Sequence, residues 1–161
     1  MSNLKYDLNL KVEKPYRGDR NGSFVLNADF LEMVLLKAEP VDQLNGCVWF
    51  GPRTAGPPGH VHGGCQAAVL DEMMGSTAWH LGLPVVAAHI NVEFLTMIPV
   101  RAQYHLKGRI LSKENRKIRI QAEIFSDETV YARSEGLFII LSDEQRMRLR
   151  DFFDLSCQKD E

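Results

Sequence analysis

The chain has 161 residues and a mass of 18.3 kDa, which is the size of one domain. Apolar residues make up 45% and charged residues 25%, as in soluble globular proteins, which argues against wholesale disorder. The 19 basic and 21 acidic residues give a net charge of −2, which argues against a nucleic-acid-binding or polybasic membrane-surface protein. No apolar run approaches the roughly 20 residues that span a bilayer. We therefore expect neither nucleic acid nor membrane as a partner.

The first residues and the cysteines indicate a reducing compartment. Residues 1–7 lack the apolar core of a secretory signal, so we expect a cytoplasmic protein. Cys47, Cys65 and Cys157 are odd in number, widely spaced and without a Cys-x-x-Cys pair. This pattern predicts reduced thiols and favours neither a disulfide framework nor a zinc site.

The N-terminal part, residues 1–44, is mixed and polar, and we interpret it as an arm that packs on the domain. Its apolar run at 30–36 fits either a short helix or a buried strand, because periodicity does not separate the two. A turn signal then leads into a strand predicted at 47–50. The glycines and prolines of 51–59 predict a loop.

Residues 62–80 are predicted to form one helix. The segment is rich in good helix formers and free of proline, and Pro84 follows its end. Its apolar residues are spread around the helix instead of forming one stripe, which is typical of a helix that is covered on most sides.

Four extended segments follow the helix, each with the alternation of apolar and polar residues that is typical of strands. Short separators between them favour a meander of antiparallel neighbours. A helix covered nearly all round is best accommodated if a sheet curls about it. We therefore predict an α+β domain at 45–141, with the sheet drawn from segments after residue 45. A capping box at Ser142 predicts a C-terminal helix and tail at 142–161. The four strands are predicted at 85–97, 101–111, 116–125 and 129–141.

The sequence His60-Val61-His62-Gly63-Gly64 at the helix start is the main candidate for chemistry. Two glycines at a helix start allow a carbonyl oxygen to approach the backbone and leave unpaired N–H groups at the positive end of the helix dipole. Such donors can hold an oxyanion. The glycines also suit a simple turn into the helix, and the sequence leaves both interpretations open.

Asp71 lies in the helix among apolar and small residues, where a carboxylate is desolvated unless it is paired or borders a cleft. Aspartate is also a mediocre helix former, so helix propensity does not explain its presence. The alternative is a polar helix edge that carries Asp71, Glu72 and Gln66 toward solvent. Glu72 lies about 100° away around the helix and is the weaker candidate.

Gly64 and Asp71 are seven residues apart, nearly two helical turns, so they lie on about the same helix face. At about 1.5 Å per residue they are roughly 10 Å apart along the axis, too far to serve one reacting carbonyl. If both act, they come from different chains. The spacing therefore predicts a homodimer, or a tetramer built as a dimer of dimers, with composite sites.

The stretch 56–64, followed by Leu70-Asp71-Glu72-Met73-Met74-Gly75, resembles the hotdog-fold acyl-CoA thioesterases of the PaaI-like group. The resemblance continues through residues 87–95 and 131–138, and it covers roughly residues 46–141. It implies a long helix wrapped by a curved antiparallel sheet, with two subunits joined into one continuous sheet. It also implies an acyl-CoA or other thioester substrate, and we expect no cofactor.

The resemblance implies roles for individual residues. Gly63 and Gly64 would polarise the thioester carbonyl, and His62 would help to shape the oxyanion site. Asp71 of the partner subunit would act as general base on water or as nucleophile. Around these residues we predict a substrate-binding set, which comprises Glu72, Met74, Ala87, His89 and Asn91.

Two positions depart from the family pattern. Ala87 stands where the family often has a hydroxyl residue, commonly threonine, that positions the water or the carboxylate. His89 or Asn91 would compensate for it. Gly56 stands where some relatives carry an asparagine. Ala87 keeps a second hypothesis open, a non-catalytic hotdog module that binds acyl-CoA.

His60 and His62 also have the spacing with which a strand presents two metal ligands. A helix pattern follows them immediately and the sequence offers no well-spaced third ligand, so we predict no metal site. The Gly-x-Ser-x-Gly and P-loop motifs are both absent, which argues against a serine hydrolase and a P-loop nucleotide hydrolase.

Overall fold

The computed structural model describes residues 30–37 and 42–148, in which one α-helix lies on a six-stranded antiparallel sheet. A short 3-10 turn at Pro52–Thr54 precedes the helix. The α+β fold predicted from the sequence is confirmed. The elements in chain order are β1 (Leu31–Lys37), β2 (Gln43–Phe50), α1 (Gly63–His80), β3 (Val85–Phe94), β4 (Ala102–Glu114), β5 (Lys117–Ser126) and β6 (Thr129–Ile140).

The apolar run near the N-terminus, which the sequence left open between helix and strand, forms the edge strand β1. It pairs with β2 in antiparallel register, with Leu31 opposite Phe50. Leu31, Met33 and Leu35 are buried while the residues between them are half-buried, which is the alternation of a strand with one face on the core. The expectation that the sheet draws only on segments after residue 45 is therefore wrong. The division into 1–44, 45–141 and 142–161 stays a prediction.

The predicted meander holds for β4, β5 and β6, but not for β3. The strand order is β1-β2-β4-β5-β6-β3, so β3 pairs with β6, and among the described residues no strand pairs with its outer edge, which we call the open edge. The link after β3, residues 95–101, does not turn back as a hairpin. It forms backbone hydrogen bonds with the loop before α1. Val61 N–H donates to Ile98 O at 2.8 Å, and Val100 N–H donates to Gly59 O at 3.0 Å. Because these bonds satisfy backbone groups of the link, it can carry the chain across the sheet to β4, which lies beside β2, without a hairpin.

The core lies between α1 and the sheet face that it covers. Leu70, Met73 and Met74 are fully buried on the helix, and alternate residues of β5 from Ile118 to Ile124 are fully buried opposite them. Each such side chain contributes about 1.5–3 kcal/mol when it leaves water. This packing fixes which face of α1 turns to the sheet.

The remaining surface of α1 is only partly covered by the described residues of one protomer. Gly64 is exposed, while Ala68, Asp71 and Gly75 are half-buried. These four residues recur at intervals of three or four, so they follow one stripe along the helix. The small side chains leave room for another element to approach α1 closely.

Gly108 on β4 marks a close approach of α1 to the sheet, and it gives a prediction about stability. A Cβ at Gly108 would clash with Thr77 Oγ1 and lie 3.4 Å from Met73 Cε. Thr77 is held in place because its hydroxyl donates to Met73 O at 2.7 Å. We expect Gly108→Ala to lower the free energy of unfolding by about 1–3 kcal/mol, measured by urea denaturation.

The matched control is Gly75→Ala, since a Cβ at Gly75 meets nothing within 4 Å. Alanine is favoured over glycine inside a helix by about 0.5–1 kcal/mol, so this variant should be as stable as the wild type or more stable. Equal losses of stability in both variants would contradict the close packing at Gly108.

The capping box predicted at Ser142 is present. Gln145 N–H donates to Ser142 Oγ at 3.2 Å, Ser142 N–H donates to Gln145 Oε1 at 2.9 Å, and residues 143–148 are helical. Arg116 joins this helix start to the sheet, since it donates to Gln145 Oε1 at 2.7 Å and to Ile140 O at 2.8 Å. The rest of the predicted C-terminal segment lies outside the described residues. No helix in the described ranges is long and apolar enough to cross a membrane.

Candidate active site

The start of α1 is built around His62. This residue is the N-cap: its backbone is extended (φ −62°, ψ 138°), and its Nδ1 accepts a hydrogen bond from Gly64 N–H at 2.9 Å. Its own N–H donates to Thr54 O at 2.8 Å, which ties the cap to the preceding loop. The helix therefore begins at Gly63, one residue later than predicted, because the capping geometry excludes His62 from it.

Only one of the two predicted amide donors is open. The Gly64 N–H is engaged by His62, while the N–H groups of Cys65 and Gln66 donate to His62 O at 3.0 and 3.2 Å. Within the described ranges, no hydrogen-bond partner faces the Gly63 N–H. Gly63 therefore supplies the free donor at the positive end of α1.

The two histidines of this segment carry their protons on different nitrogens. An amide N–H can only donate, so neutral His62 accepts at Nδ1 and holds its proton on Nε2. A carbonyl oxygen can only accept, so His60 donates from Nδ1 to Pro58 O at 2.9 Å. In the part of the chain that the structure describes, no three histidine, cysteine, aspartate or glutamate side chains form a group that could hold a metal ion.

Asp71 is a half-buried carboxyl group whose Oδ1 is buried and has no hydrogen-bond partner among the described residues. Desolvation by burial raises the pKa of Asp71 above its usual value. If Asp71 lay on a polar helix edge, its carboxyl group would be hydrated. The structure therefore favours the interpretation that the carboxyl group is desolvated. Once ionised, a carboxylate with a raised pKa is a better proton acceptor.

Contacts along α1 show where the Asp71 side chain lies relative to the sheet. Thr77 faces Gly108 on β4, and Met74 faces Gly136 on β6. Successive residues are about 100° apart around the helix, so Thr77, Met74 and Asp71 follow one another in the same direction. This direction runs from β4 past β6, and Asp71 therefore lies on the side of β3. Since β3 is the last strand of the sheet, the carboxyl group lies on the side of its open edge.

Gly63 and Asp71 do not form one site within a protomer. They are eight residues apart on one helix, which corresponds to about 12 Å along its axis. A carbonyl that accepts from Gly63 N–H is therefore out of reach of the carboxylate on the same chain. A composite site needs a second copy of the chain.

Two of the predicted substrate-binding residues lie on α1. Met74 is fully buried against Gly136, so it belongs to the core of the protomer. Glu72 is half-buried and follows Asp71 around the helix. Their roles in substrate binding stay predictions.

The other three predicted substrate-binding residues lie on β3. Ala87 is opposite the buried Phe138. A bulge separates it from His89 and Asn91, which are exposed and alternate with Ile90. Since Ile90 packs at Gly136 and so faces α1, His89 and Asn91 lie on the outer face of the sheet. The protomer does not bring these two residues together with Gly63 or Asp71.

Phe94 borders the candidate site, although it was not in the predicted substrate-binding set. A Cβ at Gly63 would lie 3.2 Å from Phe94 Cζ, and 55% of the phenylalanine surface is exposed. An apolar ring therefore borders the open amide donor. The alternation of Ile90, Val92 and Phe94 in the sequence indicates that the three share a face, but not which face turns to the helix.

Residues 58–132 match the family model described as the thioesterase superfamily. The chain is 34% identical over 98 residues to the mouse protein named acyl-coenzyme A thioesterase THEM5, a match that covers 60% of this chain and 40% of the mouse protein. The chain thus spans less than half the length of that relative.

Solved structures of other proteins share the fold. The superfamily protein RHA08564 is 29% identical with a TM-score of 0.63, and the match covers 67% of this chain and 56% of that one. PaaI of Escherichia coli, from the phenylacetic acid degradation operon, has a TM-score of 0.59 at 14% identity, covering 63% of this chain and 74% of PaaI. The hotdog fold that the sequence resemblance implied is confirmed.

Proposed function

We propose that the protein hydrolyses acyl-CoA thioesters at a site shared by two subunits. The observation that carries the proposal is the start of α1, where His62 engages the Gly64 amide and leaves the Gly63 N–H as an open donor. The desolvated carboxyl group of Asp71 supplies the second element. The name of the mouse relative, acyl-coenzyme A thioesterase, supports the substrate class.

In the proposed reaction, water is the nucleophile and Asp71 is the base. The carboxylate accepts a proton from water while the water oxygen bonds to the thioester carbon. The carbonyl oxygen becomes an oxyanion and accepts from the Gly63 N–H of the other subunit. The oxyanion then reforms the carbonyl as the C–S bond breaks. The leaving thiolate takes the proton from Asp71, which releases the thiol and the carboxylic acid and restores the carboxylate. Attack by the Asp71 carboxylate itself, with later hydrolysis of an anhydride, gives the same products.

The rate enhancements expected from these two groups are sufficient for a site that lacks a catalytic triad. One preorganised oxyanion donor is worth on the order of 10²–10³ in rate. A positioned general base adds roughly 10²–10⁴. A thiolate is a good leaving group, so no strong acid is needed to expel it. Gly63 and Asp71 are therefore sufficient for a moderate thioesterase.

We propose that the subunits join through the open edge of β3. This edge has no partner strand within the described residues, and it carries the exposed apolar side chains of Val86 and Phe94. Asp71 and the stripe of small residues on α1 lie on the same side. Pairing two β3 edges would bring each Asp71 toward the Gly63 of the other subunit. A homodimer is then the smallest active unit, and a dimer of dimers is its simplest extension.

Mixing two inactive variants tests this shared site. Asp71→Asn removes the base, and Gly63→Pro removes the amide donor. A heterodimer of the two has one site with both defects and one site with neither. Co-refolded samples are therefore expected to recover up to about a quarter of the wild-type rate of thiol release, since half of the dimers are mixed at equal amounts and each has one intact site.

Size-exclusion chromatography of each variant checks that it still assembles. No recovery of activity from well-assembled mixed dimers would show that both groups act within one chain. A fully active monomer at sedimentation equilibrium would exclude the shared site altogether.

Ala87 favours one other function, a module that binds acyl-CoA without hydrolysing it. To separate the enzyme from the binding module, thiol release and calorimetric binding are both measured with a panel of acyl-CoA substrates. Hydrolysis of at least one substrate by the wild type supports the enzyme. Tight binding without hydrolysis supports the binding module.

We also propose a cytoplasmic location, which fractionation of expressing cells would test.

A further inference from the structure

The loop before α1 packs a glycine directly against the capping histidine. A Cβ at Gly56 would lie 2.8 Å from His62 Cδ2 and 3.0 Å from His62 Cα. Because the second of these atoms belongs to the backbone, rotation of the imidazole alone would not relieve the crowding. Any side chain at residue 56 must displace the histidine or the loop.

The two chain segments that meet here are fastened to each other. Gly56 N–H donates to His60 O at 3.0 Å, and His62 N–H donates to Thr54 O at 2.8 Å. Ala55 and Val61 form an antiparallel bridge between the same segments. Gly56 and His62 therefore cannot separate without breaking several backbone hydrogen bonds.

The requirement for glycine at this position is steric. Gly56 does not have a positive φ, unlike Gly59 in the same loop, so alanine could adopt its backbone conformation. On the other side of the imidazole, a Cβ at Gly64 would lie 2.9 Å from His62 Nδ1. The imidazole thus lies between two glycines, and one of them donates to it.

We propose that Gly56 is a positioning residue that holds His62 as the cap of α1, with Nδ1 on Gly64 and the Gly63 N–H left open. The effect on catalysis rests on the proposed thioesterase function, whereas the effect on the cap does not. Glycine at residue 56 therefore allows the capping histidine to pack closely against the loop.

The primary experiment follows the Gly64 amide by NMR in the intact protein. Gly56→Ala is expected to shift the Gly64 amide resonance and to speed its hydrogen exchange at least tenfold, because the bond to His62 Nδ1 is lost or lengthened. The kcat for thioester hydrolysis should fall about 10- to 100-fold, as expected when a site group is misplaced by about 1 Å. KM should change only a few-fold. Asp127→Asn, in the exposed turn between β5 and β6, should change none of these quantities.

A double-mutant cycle separates a role through His62 from general damage to the loop. In the His62→Ala background the imidazole and its bond to Gly64 are already lost, so adding Gly56→Ala should lower kcat by clearly less than it does in the wild type, although the contact with the Cα of residue 62 remains. Additive losses would overturn the proposal. An unchanged Gly64 amide in Gly56→Ala would overturn it as well.

Two further readouts keep the test decisive. If Gly56→Ala does not fold, the ¹⁵N shifts of His62 in the wild type still decide, since a proton on Nδ1 at neutral pH would overturn the cap. If the wild type hydrolyses no thioester, the amide measurements alone decide whether Gly56 positions His62. Failure of the proposed function and failure of this proposal therefore give different results.

Discussion

Asp71→Asn is expected to lower kcat by two orders of magnitude or more on the best acyl-CoA substrate. Asparagine keeps the shape of the side chain but cannot take the proton of water or attack the carbonyl. The loss corresponds to the roughly 10²–10⁴ that a positioned base contributes. Release of free thiol measures the rate, and binding of the substrate by calorimetry should stay within a few-fold of the wild type.

The same substitution should make the protein more stable at neutral pH. Burial raises the pKa of Asp71, so the folded protein binds this proton more tightly than the unfolded chain. Ionisation therefore costs stability as the pH rises from the unfolded carboxyl pKa, about 3.9, through the raised folded value. Asparagine never ionises. The gain in Tm should appear at neutral pH and vanish at pH values below the unfolded pKa.

Asp127→Asn is the matched control for this pair of effects. Asp127 is exposed in the turn between β5 and β6 with φ 51°, a conformation that asparagine also tolerates. Its kcat and its Tm should match those of the wild type. An Asp71→Asn variant that hydrolyses its best substrate within a few-fold of the wild type would place the base elsewhere.

Gly63→Pro is expected to lower kcat by about 10²–10³, because it removes the open amide proton that would hold the oxyanion. Proline is well tolerated at the first position of a helix, where the N–H has no intrahelical partner. The preceding residue must then be extended, and His62 already has ψ 138°. Circular dichroism and Tm should therefore stay near the wild-type values while thiol release falls.

Gly63→Ala separates the amide from the space around it. This variant keeps the N–H and adds a Cβ 3.2 Å from Phe94 Cζ, a contact that a small shift of the ring can relieve. It should retain far more activity than Gly63→Pro. Equal activity in the two variants would show that the Gly63 N–H does not hold the oxyanion.

Periodicity in the sequence was sufficient for the helix and for four of the six strands, since each of these segments is long and carries a recognisable alternation or high helix propensity over much of its length. It was insufficient for β1, whose run of consecutive apolar residues fits a helix as well as a strand. The position of β3 beside β6 could not be predicted from the sequence pattern either. It depends on hydrogen bonds between the 98–100 link and the loop before α1, which no local pattern records.

The site shows a similar division. The chemical character of Asp71 could be predicted, because a carboxylate among small and apolar residues is desolvated on any packed helix. The difference between Gly63 and Gly64 could not, because it depends on the orientation of the His62 ring. The assignment of His89 and Asn91 to the substrate failed to find support in the protomer, since alternation along a strand does not specify which face turns to the helix.

The open edge of β3 has a consequence for handling the protein. An exposed strand edge is a template for pairing with any other extended chain, and this one is ten residues long with large apolar side chains at Val86 and Phe94. The bulge between Ala87 and His89 interrupts the register and allows only a strand with a matching irregularity to pair along its whole length. A separated subunit would therefore be prone to aggregate, and dilution, rather than heating alone, would be the condition under which the protein precipitates.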